Sequence, residues 1–82
     1  MEIRLTDKAA TQLLALPNVL RKKVRKQFGY LLENYRHPSL NSKKYNDGSG
    51  ELWQARIDSG WRFYFYIQSP EYIIVAIISH PK

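Results

Sequence analysis

The feature that most constrains the fold is an alternation of apolar and polar residues with a period of two between positions 53 and 68. Successive side chains of a strand point to opposite faces of a sheet, so the pattern predicts strands with one buried and one polar face. The Ser59-Gly60 pair interrupts the alternation and is typical of a tight hairpin turn. The residues of the predicted buried face are Trp53, Ala55, Ile57, Trp61, Phe63, Phe65 and Ile67.

Further strands are predicted on both sides of this hairpin. Residues 72–78 are apolar at both parities, which predicts a strand covered on both faces and therefore inside the sheet. A turn at 69–71 precedes it. Residues 2–5 and 43–45 have the pattern of short strands, and residues 46–50 have the composition of a turn.

The first half of the sequence predicts two helices. Thr6 or Asp7 can cap the first, and Pro17 ends it and can open the second. The apolar stripes are Ala9, Ala10, Leu13 and Leu14 in the first helix and Leu20, Val24, Phe28, Leu31 and Tyr35 in the second. The element order is therefore β-α-α-β-β-β-β. It predicts an α+β fold with two N-terminal helices packed on one face of a mainly antiparallel sheet.

The length and the residue types limit the chemistry. Eighty-two residues suffice for one domain, so residues 1–82 are expected to form a single unit. The absence of cysteine excludes disulfides, thiolate metal sites and a cysteine nucleophile. With two histidines in the chain, His37 and His80, a closed zinc site is not expected, and no metal or cofactor is predicted.

The positive charge is confined to one third of the chain. Residues 18–44 contain eight basic residues and one acid, Glu33, whereas the remaining residues are almost neutral. A charge surplus in one segment produces a directed field that attracts a polyanion, although a solvated helix face is the simpler alternative. The basic residues that could contact a nucleic acid or an acidic protein are Arg21, Lys22, Arg25, Lys26, Lys43 and Lys44.

Four residues are candidates for chemistry. Arg56 and Arg62 flank the hairpin and are expected to lie close together across it, either as a phosphate clamp or as surface arginines. His80 stands at the rim end of the predicted central strand, where it can carry a proton or simply be half-exposed. His37 follows the second helix and is either a second active-site histidine or a cap of that helix.

Five short segments occur in a distinctive order. They are His37-Pro38-Ser39-Leu40 followed by Lys43-Lys44, then Trp53-Gln54-Ala55-Arg56-Ile57, then Trp61-Arg62-Phe63, and finally Ile77-Ile78-Ser79-His80. In order, spacing and overall length they resemble the RelE/ParE toxin superfamily, and within it the RelE and YafQ branches. The resemblance covers nearly the whole chain.

The resemblance implies a toxin of a type II toxin–antitoxin pair that enters the ribosomal A site and cuts mRNA without a metal. It implies that Arg56 and Arg62 hold the phosphate, that His80 acts as acid or base, and that His37 occupies a second histidine position. Lys43 and Lys44 would contact the RNA backbone. The implied partners are an acidic antitoxin protein, mRNA and ribosomal RNA.

Two alternatives stay open at this point. RelE-type toxins usually continue past the last strand into a basic segment with an aromatic residue, whereas this sequence ends at Lys82. A ParE-like toxin that binds DNA gyrase, or a degenerate member that only binds its antitoxin, is therefore retained. The longest apolar run, 72–78, is far shorter than the roughly 20 residues of a membrane span, so a cytoplasmic protein is expected.

Overall fold

The computed structural model describes residues 1–46 and 51–79. The elements are β1 (Glu2–Leu5), α1 (Asp7–Ala15), α2 (Asn18–Glu33), a 3₁₀ helix (Pro38–Leu40), β2 (Lys43–Asn46), β3 (Glu51–Asp58), β4 (Trp61–Gln68) and β5 (Glu71–Ser79). This order confirms the predicted α+β fold. Most of the predicted turn at 46–50 lies outside the described residues.

The five strands form one sheet in the order β1-β5-β4-β3-β2. β1 runs parallel to β5, and the other three pairings are antiparallel, which confirms a mainly antiparallel sheet. The β3–β4 hairpin closes where Asp58 lies opposite Trp61, so Ser59 and Gly60 form the predicted tight turn. β5 has a neighbour on each side and is interior in the sheet.

Both helices pack on the face of the sheet that the alternation predicts to be buried. Phe63 and Phe65 of β4 are fully buried at its centre, together with Val24 and Leu31 of α2. Burial of side chains of this size contributes roughly 1.5–3 kcal/mol each. Phe28 of α2 meets Phe63 edge-on at a centroid distance of 5.2 Å. The aromatic alternation of β4 therefore fixes which side of the sheet the helices cover.

The helix ends follow from local chemistry, with two departures from the predicted stripes. Thr6 caps α1 by accepting a hydrogen bond from the Ala9 N–H at 3.2 Å. Leu14 is 73% exposed, because at 3.6 residues per turn it lies well away from the side of α1 on which Ala9 is fully buried. Tyr35 lies beyond the end of α2 at Glu33, where it packs edge-on against Trp53 with ring centroids 5.2 Å apart.

The side of the sheet opposite the helices is called here the open face. On this face β5 is less covered than predicted. Ile73 and Val75 are half-buried, and Ile78 is 39% exposed. The prediction that β5 is covered on both faces is therefore wrong, since α1 and α2 share one side. The apolar residues at odd and even positions instead coincide with a β-bulge in β5. Val75 is the extra residue there, because Ala76 pairs with Tyr64 and Ile74 pairs with Phe65.

A buried side-chain amide connects three elements. The apolar stripe of α2 does not predict this, because the residue is a glutamine. Gln27 is 7% exposed, and its Nε2 donates to the carbonyl oxygens of Ser39 at 2.9 Å and Arg56 at 2.7 Å. It thereby holds the 3₁₀ helix against β3. Unpaired buried carbonyls are costly, so this side chain replaces hydrogen bonds that neither helix nor sheet provides.

Replacing Gln27 by the similarly shaped Met tests this connection. Gln27→Met removes the side-chain donor from two part-buried carbonyls, and we expect the free energy of unfolding to fall by about 2 kcal/mol. The melting temperature should fall by about 10 °C for a domain of this size. Gln68→Met, at an exposed position, is the matched control and should change stability by less than about 0.5 kcal/mol. Equal melting temperatures for the two variants would contradict the proposed role of Gln27.

Candidate nucleic-acid interface

Two arginines lie directly opposite each other on neighbouring strands. Arg56 of β3 is the register partner of Arg62 of β4, as predicted, and strand alternation places both on the open face. Arg56 is exposed, whereas Arg62 is half-buried. Like charges in directly opposed positions destabilise a sheet unless an anion lies between them. An anion placed between the two guanidinium groups would relieve this repulsion.

The two guanidinium groups differ in how firmly they are held. Nη1 of Arg62 donates to the backbone oxygen of Asp58 and to that of Trp61, the latter at 2.9 Å. Arg56 makes no side-chain hydrogen bond or ion pair with the described residues. Arg62 is thus fixed in place by the hairpin, and Arg56 is available to move onto a ligand.

Asp58 organises the hairpin that holds Arg62. Its Oδ1 accepts from the Gly60 N–H at 2.8 Å, and its Oδ2 forms an ion pair with Lys23 of α2 at 3.2 Å. Partial burial alone would raise the pKa of this carboxyl group. The hydrogen bonds from Gly60, Lys23 and the Trp61 backbone, together with the charge of Lys23, lower the pKa below its ordinary value of 3.8.

A small polar network adjoins the arginines on the open face. Gln54 is 7% exposed, donates to the Tyr64 hydroxyl at 2.8 Å and accepts from the Tyr45 hydroxyl at 3.3 Å. The amide is covered by the tyrosines of the two neighbouring strands. The alternation predicts the face on which Gln54 lies, but its burial depends on the pairing register. The three side chains are thus held by hydrogen bonds on the open face, where Tyr45 is 43% exposed.

His37 is half-buried and occupied on one side. Its ring stacks on Tyr30 with centroids 4.1 Å apart, and its Nδ1 accepts from the Ser39 N–H at 3.1 Å. It therefore caps the start of the 3₁₀ helix rather than the end of α2. Among the described residues no hydrogen bond joins His37 to Arg56 or Arg62. Gln27 connects the two regions through backbone oxygens.

His80, the other predicted proton carrier, lies outside the described residues. β5 ends at Ser79, which is the register partner of Trp61. The described end of β5 thus adjoins the start of β4, one residue from Arg62.

Three of the basic residues of α2 share one exposed stripe. Lys22, Arg25 and Lys26 are exposed, and their spacing of three and four residues places them side by side on the helix. They have no hydrogen-bond or ion-pair partner within the described part of the chain. Arg21 differs, since it is half-buried and its Nη2 donates to the Asn18 side chain at 2.9 Å.

Two further predicted lysines lie on the edge strand. Lys43 and Lys44 of β2 are both exposed. Lys44 pairs with Glu51 at 2.8 Å, so its charge is partly compensated. Lys43 is opposite Gln54 in the ladder and belongs to the open face. Lys43 therefore lies on the same face as the arginine pair.

No protein-family model and no curated protein matches the sequence, but solved structures match its fold closely. The RelE of an archaeal RelE-RelB complex from Pyrococcus horikoshii superposes with a TM-score of 0.73 at 16% identity, covering 95% of this chain and 92% of that one. YafQ from Escherichia coli gives 0.77 at 7% identity, with 95% and 91% covered. The YoeB dimer from Staphylococcus aureus gives 0.77 at 14% identity, with 99% and 98% covered. The chain has the RelE/ParE toxin fold.

The described ranges contain neither a candidate metal-binding cluster nor a helix that could span a membrane. No three His, Asp or Glu side chains of residues 1–46 and 51–79 come together in a way that could hold a metal ion. Over the same residues, no helix has the length and hydropathy that crossing a membrane requires.

The lowered pKa of Asp58 predicts a pH-dependent contribution to stability. A group whose pKa is lower in the folded state stabilises the fold above its unfolded pKa, and this contribution disappears as the pH falls through the folded value. Asp58→Asn should therefore lower the free energy of unfolding by about 1 kcal/mol at neutral pH, given the exposure of Lys23. The difference from the unmodified protein should vanish well below pH 3.8.

Denaturant titrations of both proteins across this pH range measure the effect. Glu71→Gln is the matched control, because its ion pair is longer, at 3.4 Å, and its partner Arg4 has a side chain that is 66% exposed. A difference between Asp58→Asn and the unmodified protein that stays constant with pH would contradict the ionic role of Asp58.

Proposed function

We propose that the protein is the toxin of a type II toxin–antitoxin pair and a ribosome-dependent endoribonuclease that cuts mRNA. The observation that carries the proposal is the opposed Arg56–Arg62 pair, with Arg62 held on two carbonyl oxygens of its own hairpin. Paired guanidinium groups of this kind suit a phosphate with two or more exposed oxygens. The shared fold with RelE, YafQ and YoeB supports the same class of function.

The proposed reaction uses the RNA itself as the nucleophile. The ribose 2′-oxygen attacks the adjacent phosphorus, the bond from phosphorus to the 5′-oxygen breaks, and a 2′,3′-cyclic phosphate remains. A base accepts the 2′-hydroxyl proton, and an acid gives a proton to the leaving 5′-oxygen. Arg62 is already fixed for stabilising the negative charge on the phosphorane, and Arg56 closes on it from the neighbouring strand.

The proton carriers in this proposal are the two histidines. His80 follows β5 in the sequence, and β5 ends beside the start of β4, which carries Arg62. His37 is the second candidate. Because its Nδ1 accepts from Ser39, its Nε2 is the nitrogen left for a substrate.

The same basic residues are proposed to bind either nucleic acid or the antitoxin, but not both at once. Lys22, Arg25 and Lys26 are three cations along α2 that have no partner among residues 1–46 and 51–79, and Lys43 extends positive charge to the open face. These residues, with Arg21 and Lys44, would contact ribosomal RNA and the mRNA backbone. An acidic antitoxin that covers them would prevent docking, as expected for a cytoplasmic partner of a RelE-type toxin. RelE of Pyrococcus horikoshii is seen in complex with RelB.

Expression of the protein in a bacterial host tests the activity. We expect translation to stop, as measured by incorporation of labelled methionine, and mRNA to be cleaved. Arg62→Ala should slow cleavage by roughly 10²–10³-fold, because it removes a fixed cation from the phosphorane. His80→Ala should also relieve the arrest. Arg4→Ala, an exposed arginine outside the basic segment, is the matched control and should stay toxic.

The outcomes separate the proposal from its alternatives. A DNA-damage response with continuing translation would indicate a gyrase-directed toxin of the ParE type. Harmless expression of folded protein would indicate a member that only binds its antitoxin. Continued arrest in both Arg62→Ala and His80→Ala, with unchanged melting temperatures, would contradict the assigned roles.

The α2 stripe predicts a specific salt dependence of RNA binding. Removing two phosphate contacts should reduce the slope of log K against log salt concentration by about 1.4 for a single-stranded RNA. The double variant Arg25→Ala, Lys26→Ala should show this change. Arg4→Ala, Lys8→Ala alters the net charge equally but outside the basic segment, and its slope should remain that of the unmodified protein. Identical slopes for both double variants would show that the stripe is a solvated helix face that does not contact RNA phosphates.

A further inference from the structure

A hydrogen-bonded tyrosine hydroxyl lies next to the opposed arginines on the open face. Tyr64 of β4 is the register partner of Gln54 of β3. On the same two strands, the next pair on this face is Arg56 with Arg62. Positions two residues apart on a strand share one face and are separated by about 7 Å. The Tyr64 hydroxyl and the two guanidinium groups therefore border the same area of the open face.

The contacts of Gln54 determine the direction in which the Tyr64 hydroxyl can donate. The Tyr45 hydroxyl donates to Oε1 of Gln54 at 3.3 Å. Nε2 of Gln54 is thereby turned towards Tyr64 and donates to its hydroxyl oxygen at 2.8 Å. A phenol carries one proton, and with Gln54 acting as the donor this proton needs another acceptor. None of residues 1–46 and 51–79 accepts it, so the hydroxyl can donate to a ligand.

Tyr64 is partly exposed, whereas the amide that holds it is buried. Tyr64 is half-buried, and Gln54 is 7% exposed. On the β5 side, the register partner of Tyr64 is Ala76, whose side chain is a single methyl group. No long side chain of β5 therefore lies opposite the tyrosine. The hydrogen bond from the buried amide also polarises the O–H group, which makes the hydroxyl a stronger donor.

We propose that the Tyr64 hydroxyl is a third donor to the anion held by Arg56 and Arg62, and that Gln54 positions this hydroxyl. The role rests on the proposed function. In that reaction the hydroxyl donates a hydrogen bond to a non-bridging oxygen of the phosphorane and keeps its proton. A fixed donor at the place where negative charge develops stabilises the transition state more than the bound substrate. Tyr64 is then a catalytic residue, and Gln54 is a positioning residue.

Removal of the hydroxyl alone tests the role of Tyr64. Tyr64→Phe should lower kcat for mRNA cleavage on ribosomes that carry a defined mRNA by roughly 10²-fold, because one transition-state donor is lost. KM should stay within about twofold of its original value. Tyr66→Phe is the matched control, since it makes the same change two residues further along the same face of β4, and kcat should be unchanged. Melting temperatures show that both variants are folded.

A double-mutant cycle tests the direction of the hydrogen bond. Gln54→Glu replaces the amide by a carboxylate that only accepts, so the Tyr64 hydroxyl should donate to it and turn away from the anion. The cleavage rate should fall at least as far as in Tyr64→Phe. Adding Tyr64→Phe to Gln54→Glu should then cost less than about twofold more. Fully additive losses would contradict the positioning role of Gln54.

Binding of an anion separates the role of Tyr64 from endoribonuclease activity. The ligand is the five-coordinate complex of uridine with vanadate, whose oxygens mimic those of the phosphorane. It is titrated into the full chain labelled with ¹⁵N and followed by nuclear magnetic resonance. Tyr64→Phe should raise its dissociation constant about tenfold, which is the loss of one hydrogen bond, and Tyr66→Phe should leave the constant unchanged.

Each outcome decides one of the two proposals. If the unmodified protein cleaves mRNA and the two phenylalanine variants cleave it equally well, the role of Tyr64 is rejected and the endoribonuclease is retained. If the unmodified protein cleaves no mRNA but binds the vanadate complex through Tyr64, the endoribonuclease is rejected and the anion site with three donors is retained. If it neither cleaves mRNA nor binds the complex, both proposals are overturned.

Discussion

The hydrogen bonds of one buried amide determine how the functional regions are arranged. Gln27 donates to Ser39 and Arg56, so α2, the 3₁₀ helix and β3 are joined at a single side chain. His37 lies on one side of this junction, and the arginine pair follows the other partner on β3. Since a glutamine amide supplies two donors, one residue satisfies both carbonyls without adding charge to the core.

The chain separates the groups that support the site from those that are free to bind. Lys23 forms an ion pair with Asp58, and Arg62 donates hydrogen bonds to two carbonyl oxygens of its own hairpin. Lys22, Arg25, Lys26 and Arg56 have no such partner within the described residues. Neighbouring residues of one basic run thus differ in role, because the helix turns one of them towards Asp58 and the others outward.

The sequence was sufficient for the fold because alternation and helical spacing report burial directly. Phe63 and Phe65 define the covered face before any pairing is known, and Arg56 and Arg62 follow from the hairpin at Ser59-Gly60. Burial of Gln27 and Gln54 was not predictable, since each depends on polar partners far apart in sequence. His80 remains a sequence-based prediction.

The parallel pairing of β1 with β5 bears on the order of synthesis. Thr6, which caps α1, donates its backbone N–H to Ile74, and Gln12 of α1 accepts from the Ile77 N–H. During synthesis β1 and α1 therefore lack these partners until β5 has also emerged. Pairings this distant in sequence form late and are slow to close. The sheet is thus completed only after β5 has been synthesised, whereas the opposed arginines lie on the local β3–β4 hairpin.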